Sequence, residues 1–239
     1  MIEYFQLTSE EISALYLSAK IGLFSVITIA IPGIICAWIL ARKNFKGKIL
    51  FDAFLHIPLV IPPVVTGYLL LLLLGKNGFI GKSIFDYLGI SFAFSWQGAV
   101  IASALMGFPL MIRSIRLSIE QIDPRLEQAA RTMGASPLRV FFTITLPLSL
   151  PGIITGMILA FARSLGEFGA TITFVSNIEG VTRTLPLAIY SYIQIPGGEA
   201  PAMRLVILSI IIAFLALIMS EYTARKSTAY IGRKRVDNA

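Results

Sequence analysis

Residues 123–147 read Asp-Pro-Arg-Leu-Glu-Gln-Ala-Ala-Arg-Thr-Met-Gly-Ala-Ser-Pro-Leu-Arg-Val-Phe-Phe-Thr-Ile-Thr-Leu-Pro. The stretch is polar and cationic, yet long apolar segments flank it on both sides. Asp123-Pro124 has the chemistry of a helix start, with Asp as N-cap and Pro at the first helical position. Leu126, Ala129, Ala130 and Met133 recur at helical spacing and form one apolar stripe. Gly134 suits the left-handed position that ends a helix. Ser136-Pro137 then offers a second start of the same kind. The expectation is two short helices joined at a glycine corner and presented just outside a membrane.

That a membrane is involved follows from composition. Of 239 residues, 56% are hydrophobic and only 14% are charged, and the mean hydropathy is +0.81. A soluble domain of this size needs more charge to cover its surface. Five apolar windows, 12–41, 53–75, 94–118, 148–175 and 203–224, are each long enough to cross a bilayer core of roughly 30 Å. A sixth, short helix dipping into the membrane is expected within the polar loop 177–202, over 184–195. The reading is one all-α integral membrane domain over 1–239, with a loop of two helices at 123–147 on one side.

The formal charge of +7 reflects topology. Arg42, Lys43, Lys46 and Lys48, then Arg113, Arg116, Arg125, Arg131 and Arg139, then Arg225, Lys226, Arg233, Lys234 and Arg235 all fall on one side if five spans alternate. The positive-inside bias makes that side cytoplasmic and places the N-terminus outside. Apolar spans interrupt the cations, so no contiguous basic face for nucleic acid is expected. Met1–Glu11 has no basic n-region and no small-residue cleavage site, so the first segment reads as a permanent helix.

Within the spans, two features invite function. Segment 53–75 opens with His56-Ile57-Pro58-Leu59-Val60-Ile61-Pro62-Pro63-Val64-Val65, whose prolines oppose a regular helix. Broken helix at membrane depth is tolerated where protein or a water-filled cavity covers the freed polar groups. The stretch therefore faces either a water-filled path or a neighbouring helix. Arg163 and Glu167 stand four residues apart and share a helical face. A charge near the midplane costs roughly 2.5–3.5 kcal/mol on insertion scales, so the two read either as an ion pair that locks helices or as a gate. Thr66, Ser164 and Thr171 are hydroxyls that either line a path or bond to their own backbone or a neighbouring helix. The stretch Lys76–Ser83 comes close to a phosphate-binding loop, but Lys76 stands where the first glycine is required and no strand precedes it. With one His, one Cys and no metal-ligand spacing, the chain offers no machinery for a membrane-embedded enzyme. No internal repeat suggests an ion-coupled carrier.

The spacing Ala129-Ala130, Gly134 and Ile144-Thr145-Leu146-Pro147 resembles the cytoplasmic coupling loop of ABC importer permeases. Residues 56–68, Phe92-Ala93-Phe94-Ser95-Trp96, Phe141–Pro147 and Ala162–Asn177 narrow the resemblance to molybdate permease subunits. The Arg163–Thr171 stretch is shared with sulfate permeases. The similarity runs from about residue 12 to 224. It implies the type I importer architecture, half of a homodimeric channel in the bacterial inner membrane, and two ATP-binding subunits that receive the coupling segment. It also implies a periplasmic molybdate-binding protein, no cofactor bound by this chain, and ATP and Mg used by the partner ATPase. The coupling residues so implied are Glu127, Gln128, Ala129, Ala130, Gly134, Ile144, Leu146 and Pro147. Gln128 departs from the family's usual Glu, and Glu127 lies just before it.

Overall fold

The computed structural model describes residues 7–236, with side chains to Tyr222. Met1–Gln6 of the acidic N-terminus, and the side chains of the tail cations from Arg225 onward, lie outside the described part. All the regular structure among the described residues is helical. Helix α1 spans Ser9–Arg42. Its start is a capping box, in which Thr8 Oγ1 accepts from Glu11 N and Thr8 N donates to Glu11 Oε2 at 2.7 Å. At 1.5 Å per residue α1 is about 50 Å long, longer than a bilayer core.

Helices α2 (Lys48–Val60) and α3 (Pro63–Leu74) occupy the second apolar window, with a bend of 109° between them. This replaces the single expected span, and the cause is local. Pro62 and Pro63 have no N–H to donate, and the residue before a proline is pushed out of the helical region. Short α4 (Gly81–Leu88) follows, then α5 (Trp96–Glu120), whose N-cap Ser95 accepts from Gly98 N at 3.1 Å. Segment 123–147 contributes α6 (Pro124–Thr132) and α7 (Pro137–Val140).

Instead of stopping there, α7 runs through a π-helical turn (Phe141–Thr145) into α8 (Leu146–Leu165). A proline in a regular helix clashes with the carbonyl four residues back. The wider turn lies just before Pro147, where it relaxes that spacing. The fourth spanning helix therefore begins at Pro137, not near residue 148, and it ends at Leu165, not 175. Helix α9 (Gly169–Val175) resumes after a break at Gly166–Phe168, α10 (Leu185–Tyr192) occupies the expected short-helix position, and α11 starts at Glu199 and runs to Val236.

Among the described residues, four helices are long and apolar enough to cross a membrane, and a fifth span is counted if the bent α2–α3 pair is one crossing. The core lies among α1, α5 and α8, with Ala37, Leu40, Met111, Ile112, Ile115 and Ile153 buried. On α8, Gly152, Gly156 and Ala160 are spaced by four and lie against α5: a Cβ at Gly156 would stand 3.1 Å from Met111 O. Small residues at this spacing let helices approach closely in lipid, where no hydrophobic force draws them together.

Candidate functional site

The 123–147 segment folds as two capped helices around a corner. Asp123 Oδ1 accepts from Arg125 N at 2.9 Å, and Ser136 Oγ accepts from Arg139 N at 3.3 Å. Gly134 has φ +88°, the left-handed region. Gly134 N donates to Arg131 O and Ala135 N to Ala130 O, which closes a Schellman-type end on α6. Open space surrounds Gly134, so its backbone angle and not crowding selects glycine.

One carboxylate ties this segment to the rest of the molecule. Glu127 is buried. Its Oε1 accepts from Arg42 Nε at 3.0 Å and from Thr145 Oγ1 at 2.8 Å. Arg42 Nη2 also donates to Ile122 O at 3.0 Å. The last turn of α1, helix α6 and the π turn that leads into α8 therefore meet at one side chain. Removing one partner from such a buried pair costs about 3–5 kcal/mol, because the other charge is left uncompensated.

The structure distributes the expected coupling residues unevenly. Glu127 and Ala130 point inward, Ile144 and Leu146 are half-buried, and Gln128, Ala129, Gly134 and Pro147 are exposed. Of the apolar stripe, Leu126 is 49% exposed and Met133 82%, and Leu138 and Phe142 beyond the corner are exposed too. The segment thus shows an apolar outer face on a polar, cationic loop, which is unusual for an ordinary connector. The departure at Gln128 has a physical reading: Gln128 lies on the surface, and the anchoring carboxylate is its neighbour.

The second cluster sits at the break between α8 and α9. Arg163 Nη1 lies 2.7 Å from Glu167 Oε2, and the Glu167 side chain is 1% exposed against 26% for Arg163. Glu167 stands in the break rather than on a continuous helix, and its Oε1 accepts from Ala170 N at 2.8 Å, capping α9. An apolar cavity of about 530 Å³ opens beside the break, lined by Leu165, Gly166, Phe168, Leu185, Ile189 and Tyr190 among others. Thr171 is fully buried, and its hydroxyl donates to the carbonyls of Phe168 and Glu167. Thr66 and Ser164 are also buried, but their hydroxyls have no hydrogen-bond partner among the described residues. Helix α9 covers the broken start of α3: a Cβ on Gly67 would stand 2.5 Å from Ala170 O, and one on Gly169 2.8 Å from Pro63 Cβ. Of the two readings of the proline-rich stretch, cover by a neighbouring helix holds at this contact.

Three ionic contacts escaped sequence reading because their partners are distant in the chain. By sequence Arg42 is one of a cluster of loop cations with Lys43, Lys46 and Lys48. Arg204 Nη2 lies 2.9 Å from the fully buried Glu11, joining α1 to α11. Arg116, which also pairs locally with Glu120, reaches Asp52 on α2 at 2.8 Å along a groove of about 500 Å³.

Residues 33–228 match the family described as binding-protein-dependent transport system inner membrane component. The chain belongs to this family. Two relatives are molybdenum transport system permease proteins ModB. The one from Escherichia coli K12 is 60% identical over 95% of this chain and 99% of its own length. The one from Haemophilus influenzae is 56% identical over the same shares. A sulfate transport system permease protein CysW from Synechocystis is 37% identical over 88% of this chain and 77% of its own length. Among solved structures, a bacterial alginate ABC transporter in complex with a pentasaccharide-bound periplasmic protein matches at a TM-score of 0.66. That match has 16% identity and covers 94% of this permease and 81% of that chain. At such identity the likeness shows the fold alone.

Proposed function

We propose that this permease forms the membrane pathway of an ATP-driven importer of molybdate. The observation that carries the substrate class is the 60% identity to a molybdenum permease along almost its whole length, against 37% for the sulfate permease. The chain works as one of two identical copies in the bacterial inner membrane, with its N-terminus outside and its C-terminus in the cytoplasm. Two ATP-binding subunits dock on the exposed face of 123–147, and a periplasmic binding protein delivers the oxyanion. Those subunits use the ATP and Mg, and this chain binds no cofactor. Closure of the ATPase pair moves α6 and α7. The Glu127 contacts carry that motion to α1 and, through Thr145, to α8, so that a cavity turns outward.

The pathway chemistry suits a dianion that must also leave. Conduction needs contacts weak enough to release the ion. Ser164 and Thr66, whose hydroxyls have no partner among the described residues, are the candidates for such contacts, and Arg163 held by Glu167 is a gate that exposes no naked charge. Thr171, bonded to its own backbone, serves structure.

The test is labelled molybdate uptake at low concentration in cells lacking this chain, with and without its restoration, under a large excess of sulfate. Restored uptake that sulfate fails to suppress is the expected result. Suppression by sulfate would move the assignment to a sulfate or thiosulfate system. Competition with tungstate measures how far the path separates two oxyanions of nearly equal size and charge.

A further inference from the structure

Helix α4 and the turn before it have no role in the pathway just described, yet their placement is unusual. After α3 ends at Leu74 the chain doubles back. Phe79 N donates to Leu72 O at 3.1 Å and Ile80 N to Leu73 O at 2.9 Å. These are carbonyls of the last turn of α3, which a helix end leaves without intrahelical partners. The chain can lie this close because Gly81 has no side chain: a Cβ there would stand 2.1 Å from Gly75 O. Phe79 and Ile80 are thereby held level with Leu72–Leu74, and α4 leaves from the depth of the last turn of an apolar helix.

The composition of α4 fits that depth. At 100° per residue Lys82, Ser83 and Asp86 fall on one arc, and Ile84, Phe85, Tyr87 and Leu88 on the opposite one. Phe79 is 89% exposed, Tyr87 88% and Leu88 67%. They continue the outward apolar surface of α3, where Leu69, Leu72 and Leu73 are exposed. Lys76 Nζ lies 4.3 Å from the Phe85 ring centroid, on the edge of the apolar surface.

We propose that α4 is an in-plane membrane anchor, lying in the headgroup–acyl boundary of the leaflet opposite the coupling segment with Phe79, Ile84 and Leu88 in lipid. A helix with one apolar arc, cations at its margin and Tyr at its edge is the chemistry of an interfacial segment, whose apolar face sinks roughly 5–10 Å below the headgroups. The occupant is lipid because the apolar surface is continuous with a spanning helix and begins at its depth. The anchor holds the end of α3, which is seated on α9 through Gly67, so movement of α3 is confined to its bend at Ile61–Pro62. The proposal rests on the membrane fold alone and stands whichever oxyanion is carried.

The test uses the full transporter in phosphatidylcholine–phosphatidylglycerol vesicles, in a Cys36→Ser background. Nitroxide labels are placed at Leu88→Cys or Asp86→Cys, both on exposed positions. The expected result is loss of accessibility to a water-soluble nickel reagent at 88, with oxygen accessibility retained, while 86 stays open to nickel. Nickel access at both positions overturns the anchor. So does protection of 88 that appears only when the periplasmic binding protein is added, which would make the face a docking surface. Strong dipolar coupling between the 88 labels of two copies would make a second copy the occupant and overturn it equally.

Discussion

Glu127 and Glu167 are both buried carboxylates paired with an arginine, but they are built differently. Glu127 bonds across the fold, to Arg42 on α1 and to Thr145 at the start of α8. Glu167 bonds within its own neighbourhood, to Arg163 four residues before it and to Ala170 N three residues after. A charge bonded across the fold makes three segments move as one. A charge bonded locally fixes the shape of a break and leaves the surrounding helices free. The first arrangement suits transmission and the second suits a hinge, although sequence alone presents both as acidic residues near an arginine.

That contrast can be broken in order of expected effect. Gly134→Pro should reduce uptake to background while the chain still inserts, as measured by labelled oxyanion uptake alongside membrane fractionation. Proline's ring fixes φ at about −65°, so it cannot reach φ +88°, and it also removes the N–H that bonds Arg131 O. Full uptake in this variant would detach the corner from function. A double-mutant cycle on Arg42 and Glu127, read by thermal unfolding of the purified complex, should give a coupling energy of about 2–3 kcal/mol. The same cycle on Arg163 and Glu167 should give about 1 kcal/mol, since Arg163 is 26% exposed and keeps part of its hydration when unpaired, while Glu167 retains its bond from Ala170 N. Equal values would erase the distinction. The smallest effects concern the hydroxyls. Ser164→Ala should lower uptake severalfold with unfolding temperature unchanged, because the hydroxyl has no hydrogen bond among the described residues to lose. Thr171→Ala should leave uptake within about twofold, since losing one hydrogen bond costs about 1 kcal/mol. Unchanged uptake in Ser164→Ala would remove that residue from the path.

Much of this was legible in the residues. The apolar windows marked the spanning helices, and Asp123-Pro124, Gly134 and Ser136-Pro137 marked the two short helices and their corner. These are local signals, fixed by capping chemistry and by one backbone angle. The ends of the fourth span were not legible. Its start lies at Pro137 because a π turn absorbs Pro147, and hydropathy does not register a change of helical pitch. Its end lies at Leu165 because the helix breaks at Gly166–Phe168, although hydropathy carries on to residue 175 on either side of Arg163 and Glu167. The bend at Ile61–Pro62 was signalled by its prolines but not its size. The pairs Arg42–Glu127 and Arg204–Glu11 were hidden for another reason: their partners meet only when distant helices pack, and charge counting by loop separates them. The anchoring role of Glu127 is not legible for the same reason, since Arg42 and Thr145 reach it only in the folded chain.

The most direct test of transmission through Glu127 is the ratio of ATP hydrolysed to molybdate carried. It is measured with the complete transporter in proteoliposomes, with the binding protein supplied, for the native chain and for Glu127→Ala. The account predicts that the ATPase subunits still bind and still hydrolyse ATP in the variant, while molybdate uptake falls at least about tenfold, the loss of roughly 1.4 kcal/mol or more of coupling. Uptake and hydrolysis that keep the native ratio, with the complex intact, would contradict it.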